Sequence, residues 1–147
     1  MLFRSYTHEQ IEQAIAEWRQ RLGLERWQVR VIWQDEIDDG VLAQVSPNTQ
    51  RYAALLQLTE EICSRPAAAV SECAAHEMLH LCTCGLYQIG RMLLSNSGTE
   101  LQTAGNDVLH REWELATDAL AAALAQAMPI PESLRDDVEE EPLRVTE

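Results

Sequence analysis

The 147-residue chain holds 24 acidic residues against 11 basic ones, all of them arginine, for a net charge of -13. This charge argues against nucleic acid as a direct partner, because phosphate contacts require clustered arginine or lysine. No apolar run approaches the roughly 20 residues of a membrane-spanning helix, and the N-terminus lacks the apolar stretch of a signal peptide. We therefore expect one cytoplasmic domain with a single core and no membrane partner.

The first half of the chain predicts a helix followed by a small sheet. Thr7 and Gln10 have the spacing of a capping box, and apolar residues then recur at helical intervals until Gly23. Three strand-like segments follow, separated by turn residues: 27–33, 41–45 and 51–58. Three strands in succession predict a mainly antiparallel sheet.

The second half predicts further helices. Residues 67–84 form a continuous helical pattern, which Gly85 is expected to end. Residues 87–94 predict a separate short helix, and Asp107 is placed to cap a last helix over residues 108–128. The sequence thus predicts an α+β class, with loop residues at 95–99 before the last helix.

Two regions are predicted from the charge distribution and the final prolines. Residues 1–131 are expected to form the domain. Residues 132–147 hold seven acidic residues and two arginines, so this segment is predicted to be an acidic, flexible tail. About five of the thirteen net negative charges therefore belong to the tail.

The motif that carries chemistry is HEMLH at residues 76–80, inside the predicted helix. His76 and His80 lie one turn apart on one face, so both imidazoles can bind one metal ion. In such an arrangement zinc lowers the pKa of a bound water, and Glu77 takes its proton as the water attacks a carbonyl. The alternative is two ordinary helix histidines, which would need other hydrogen-bond partners if buried.

A catalytic zinc takes a third protein ligand, which the last predicted helix offers. His110, Glu114 and Asp118 form one stripe at i, i+4 and i+8, whereas Glu112 falls on another face. We predict Glu114 as the third ligand and Asp118 as the group that orients a ligating histidine. His110 is an alternative third ligand, or a residue that helps to stabilise a developing oxyanion.

The cysteines allow a different kind of metal site. Their spacing matches no tandem CxxC zinc pattern, and burial as small apolar side chains is their expected role. Cys73 and Cys84 nevertheless lie near the histidine face of the same helix, with Cys82 close by. A purely structural Cys/His zinc site is therefore an alternative interpretation.

The motif and its downstream acid resemble a known family. HEMLH followed by ELATD at residues 114–118 resembles the gluzincin pattern of the zincin metallopeptidases, an HExxH completed by a later glutamate. Residues 114–129 are similar to the ImmA/IrrE-like peptidases, although Thr117 stands where those proteins carry alanine. The layout of helix, small sheet and two motif-bearing helices is similar to small phage and prophage metallopeptidases and the SprT-like core.

The resemblance implies a zincin-like fold and a set of roles. His76, His80 and Glu114 would be zinc ligands, and Glu77 the general base. Members of these families align an extended peptide along the edge strand of the sheet, for which residues 51–58 are predicted here.

The sequence therefore predicts a zinc-dependent endopeptidase acting on a protein or peptide substrate. Two other functions stay open. One is a non-catalytic, metal-stabilised interaction module in a phage-related setting, and the other is a structural or regulatory protein whose histidines bind no metal.

Overall fold

A computed structural model describes residues 5–135, which form a small α+β domain, as predicted. The helices and strands are α1 (His8–Arg21), β1 (Gln28–Gln34), β2 (Ala43–Asn48), β3 (Ala53–Thr59), α2 (Ala67–Ser95) and α3 (Thr99–Ala127). Short 3₁₀ turns lie at Glu60–Ser64 and Glu132–Leu134. Within residues 5–135, no helix has the length and hydropathy needed to cross a membrane.

The sheet is mixed, and its strand order is β1-β3-β2. β1 pairs with β3 in parallel, whereas β2 and β3 form an antiparallel hairpin. The prediction of a mainly antiparallel sheet is therefore wrong for one of the two strand pairs. The prediction that residues 51–58 form an edge strand is also wrong, because β3 occupies the centre and leaves β1 and β2 at the edges.

Helix α1 and the sheet enclose the core together with the first part of α2. The predicted capping box is present: the Thr7 hydroxyl accepts from the Gln10 backbone N–H, and the Gln10 side chain accepts from the Thr7 N–H. Trp18 is fully buried, and its indole Nε1–H donates to the Ser71 hydroxyl of α2 at 3.0 Å. On β3 the alternate residues Ala54, Leu56 and Leu58 are buried, as one core-facing side of a strand requires.

Helices α2 and α3 form an antiparallel hairpin that is longer than predicted. The expected stop at Gly85 and start at Asp107 are wrong, because α2 continues to Ser95 and α3 begins at Thr99. Helix packing explains the difference: a Cβ at Gly90 would lie 2.8 Å from a Leu109 methyl, and one at Gly105 would lie 2.6 Å from a Leu94 methyl. Close approach of the two helices offsets the roughly 1 kcal/mol that an interior glycine costs.

The chain continues to pack against α1 after Pro131. The Ser133 hydroxyl donates to the Gln10 carbonyl, and the buried Leu134 offers its own carbonyl to the Tyr6 hydroxyl. Packing thus extends past the predicted boundary at residue 131. The rest of the predicted acidic tail, residues 136–147, lies outside the described residues.

Candidate metal centre

Helices α2 and α3 bring three potential ligands together at the wall of one cleft. The Nε2 atoms of His76 and His80 face each other at 2.9 Å. The two carboxylate oxygens of Glu114 lie 3.5 Å from His76 Nε2 and 3.4 Å from His80 Nε2. One donor atom from each residue lies within 4.8 Å of the other two. The structure thus places Glu114, and not His110, beside both imidazoles.

The donor set fits a zinc ion. Ligand atoms bound at 2.0–2.1 Å in a tetrahedral arrangement are about 3.3 Å apart, close to both distances from Glu114. The two imidazole Nε2 atoms are closer together, at 2.9 Å, which is the distance of an N–H···N hydrogen bond. Two nitrogen lone pairs facing a carboxylate at this range require a cation or a proton between them. Two histidines and a glutamate are also a known ligand set of catalytic zinc sites.

Asp118 lies next to the histidine that it is predicted to orient. Its Oδ1 is 2.9 Å from Nδ1 of His76. With the proton on Nδ1, the ring donates to Asp118 and turns the Nε2 lone pair towards His80 and Glu114. Nδ1 of His80 is buried and has no hydrogen-bond partner among the described residues. Of the two imidazoles, His76 is thus the one with a carboxylate within hydrogen-bond distance of its Nδ1.

Glu77 is buried, lines the same cleft and is held by the sheet. Its Oε2 accepts a hydrogen bond from the backbone N–H of Val45 on β2 at 2.8 Å. Burial raises the pKa of Glu77 to about 7; the Val45 hydrogen bond opposes this shift, and the Glu114 carboxylate adds to it. A carboxylate with its pKa near neutrality is suited to take up and release a proton.

Aromatic packing surrounds His80. The Trp113 ring lies 4.3 Å from the His80 ring and stacks on Tyr87 at 4.1 Å. The indole Nε1–H of Trp113 donates to the Thr83 hydroxyl at 2.7 Å, which fixes the ring against α2. Burial lowers the pKa of His80 to about 4, and the neighbouring His76 and His110 lower it further. His80 is therefore a neutral imidazole at neutral pH, the form that binds a metal.

The cleft itself has a volume of about 750 Å³. One wall is formed by residues 40–45, which end on β2, and the other walls are formed by α2 and α3. His110 lines the cleft, and its Nδ1 lies 3.5 Å from the Tyr87 hydroxyl, outside the ligand group. Edge strand β2 therefore borders the candidate centre, in place of the predicted residues 51–58.

The cysteines are not part of this ligand group. Within residues 5–135, the three-residue group around His76 and His80 contains Glu114 and no thiol. Cys84 is buried with its Sγ directed at the Leu81 carbonyl, Cys82 is exposed, and Cys73 lines the cleft. The alternative Cys/His site thus lacks a converging thiol in the described part of the chain.

A second group of metal-binding residue types lies elsewhere. Nε2 of His8 is 2.8 Å and 2.9 Å from the two oxygens of Glu60, and Cys63 Sγ is within 4.8 Å of both residues. The His8 ring stacks on Trp33 at 3.7 Å. His8 and Glu60 are exposed and contact each other, an arrangement that is common on protein surfaces without a metal ion.

Sequence reasoning missed two neighbours of the centre. The Val45 N–H is a backbone donor, which no side-chain pattern reveals. The second is Trp113, which lies next to Glu114 and one turn from His110 in the sequence. The i, i+7 spacing of His80 and Tyr87 was the available signal that aromatic residues continue the histidine face of α2.

No family model, curated protein or solved structure matches the chain.

Proposed function

We propose that this protein is a zinc-dependent metallopeptidase with a zincin-like fold, as the resemblance of its motifs implies. The observation that carries the proposal is the convergence of His76, His80 and Glu114 at the edge of a cleft, with the buried Glu77 beside them. Protein or peptide chains are the proposed substrates, because an edge strand of the sheet borders the cleft and can pair with an extended backbone.

The roles of the side chains follow from their contacts. His76, His80 and Glu114 would hold the ion, and Asp118 would keep His76 in the tautomer with its proton on Nδ1. When bound, zinc supplies Lewis acidity, which polarises the peptide carbonyl and lowers the pKa of water.

Glu77 moves the proton. Its Oε2 is occupied by the Val45 N–H, so Oε1 is the atom proposed to take the proton of the attacking water. The same carboxyl then delivers that proton to the departing amine. A carboxyl with its pKa near 7 is suited to both steps, because neither protonation state is strongly favoured at neutral pH.

Metal analysis combined with Glu77→Gln tests this function. Purified wild-type protein is expected to contain one zinc per chain and to cleave members of a broad peptide library. Glu77→Gln is expected to keep the zinc and lose at least about 100-fold in kcat, the usual contribution of a general base. Glu112→Gln is the matched control, since it removes one carboxylate from an exposed position on α3.

Each other outcome selects a different function. Zinc at one equivalent without cleavage of any library peptide would favour the metal-stabilised interaction module. Protein prepared without chelator that contains no zinc, and takes up none when zinc is added, would overturn both metal-dependent functions.

A further inference from the structure

The end of the α2–α3 hairpin carries a large apolar surface outside the core. The last buried residue of α2 is Cys84, and the first buried residue of α3 is Thr117. Residues 85–115, here called the distal arm, therefore contribute no buried side chain. Seven large apolar residues of the arm are between 49% and 74% exposed. Met92 lies apart from the others, and the remaining six are here called the apolar stripe: Leu86, Ile89, Leu93, Leu101, Val108 and Leu115.

The apolar stripe is separate from the contact between α2 and α3. Within the hairpin, Gly90 faces Leu109 and Gly105 faces Leu94, at the separations of tightly packed helices. At 100° per residue, the stripe residues of each helix lie about a quarter turn from these contact positions. Because the helices are antiparallel, the two quarter turns lead to the same face of the hairpin. No helix or strand among the described residues covers that face.

The spacing of the stripe indicates a helical partner. Residues 86, 89 and 93 follow the i, i+3, i+7 pattern, and residues 101, 108 and 115 recur every seven positions. Seven-residue spacing of apolar side chains is the pattern of a seam between packed helices. A partner that binds as a sheet edge or as an extended peptide would not need apolar residues at this spacing.

Charge and area favour a second copy of the same chain. The distal arm holds two arginines and four acidic residues, for a net charge of -2 out of -13, and no stripe residue is charged. Glu112 is the one acidic residue on this face of α3, between Val108 and Leu115, and it pairs with the neighbouring Arg111. The six exposed side chains amount to on the order of 600 Å², near the upper limit for a monomer surface and approaching the about 800 Å² per partner of a standard interface.

We infer that the apolar stripe is a dimer interface, at which two hairpins pack into a four-helix bundle. A two-fold axis perpendicular to the hairpins places the apolar residues of one stripe against those of the other and leaves the two acidic bodies at opposite ends. The inference is independent of the metal centre, because none of the six stripe residues lines the cleft.

The mass of the full-length protein in solution tests the inference. Light scattering during gel filtration is expected to give twice the 16.6 kDa chain mass. Leu93→Glu is expected to weaken association at least about 100-fold, because it buries an unpaired charge at the seam. Met92→Glu is the matched control: Met92 is 68% exposed and Leu93 70%, but Met92 lies about a quarter turn away from the stripe.

The outcomes are distinguishable. A wild-type monomer at about 100 μM, or equal association of Leu93→Glu and the wild type, would overturn the inference. Leu101→Glu on α3 tests the same face independently if Leu93→Glu fails to fold, as judged by circular dichroism. Dissociation by Met92→Glu as strong as by Leu93→Glu would mean that the apolar stripe does not define the interface.

Discussion

The Glu77 carboxylate accepts a 2.8 Å hydrogen bond from the backbone N–H of Val45, which joins the motif helix to an edge strand of the sheet. An edge strand has backbone donors that no neighbouring strand uses, and one of them orients a buried carboxylate here. The position of the proposed general base therefore depends on the sheet as well as on its own helix.

Replacing Val45 with proline tests this dependence. Proline removes the N–H and is tolerated on an edge strand at positions that donate nothing to the ladder; Pro47, two residues further on, already occupies such a position in β2. We expect Val45→Pro to fold and retain zinc, but to lose about 10-fold in kcat, as is common when a supporting contact is removed. Val45→Ala keeps the N–H and is the control; an equal loss in both variants would assign the effect to the Val45 side chain.

Glu114→Ala is expected to weaken zinc binding by at least about 100-fold, because the proposed site loses its one carboxylate ligand. Competition with a chromogenic chelator measures the affinity. Glu112→Gln, which changes a neighbouring exposed acid, should bind zinc like the wild type. Unchanged affinity in Glu114→Ala would refute its assignment as a ligand and direct attention to His110.

Asp118→Asn is expected to have a smaller effect than Glu114→Ala. The amide can still accept from His76 Nδ1–H but lacks the negative charge that makes the imidazole a stronger ligand. A loss of about 10-fold in zinc affinity is expected, within the range for such supporting groups. Isothermal titration with zinc provides the measurement, and a loss as large as that of Glu114→Ala would indicate that Asp118 binds the metal directly.

Ser71→Ala is expected to destabilise the fold without touching the cleft. It leaves the fully buried indole N–H of Trp18 without its acceptor, at a cost of about 1–3 kcal/mol. Urea denaturation followed by tryptophan fluorescence measures the free energy of unfolding. By contrast, Glu12→Ala removes the exposed acceptor of Trp33 and should change it by less than about 0.5 kcal/mol.

Thiol labelling should separate the four cysteines. Cys82 is exposed, whereas Cys63 and Cys84 are buried. Burial raises the pKa of Cys73 to about 12, with further contributions from Glu77 and Glu72, so its thiol stays protonated at pH 8. One thiol per native chain, that of Cys82, should react fast. Its rate should rise from pH 7 to pH 9, because its thiolate fraction rises. Cys82→Ser should remove that phase, and labelling of Cys73 at the same rate would contradict the prediction.

Much of the local structure followed from the sequence. The Thr7 and Gln10 capping box and the helix that ends before Gly23 are confirmed, and the three strands lie within a few residues of their predicted positions. These features depend on neighbours in the chain, which is why pattern alone identified them. The helix end at Gly85 and the helix start at Asp107 were predicted wrongly, because both rested on a single residue type. Each helix continues through these positions because the other helix packs against it.

The sequence by itself determined which residues share a helical face: His76 with His80, and Glu114 with Asp118. Only the tertiary structure decided that the two faces meet, that His110 stays outside the ligand group, and that β3 is central while β2 borders the cleft. Metal binding at this centre stays a prediction. The physical reason for the division is that a helical period is set by neighbouring residues, whereas the meeting of helices and strands is set by burial between segments far apart in the chain.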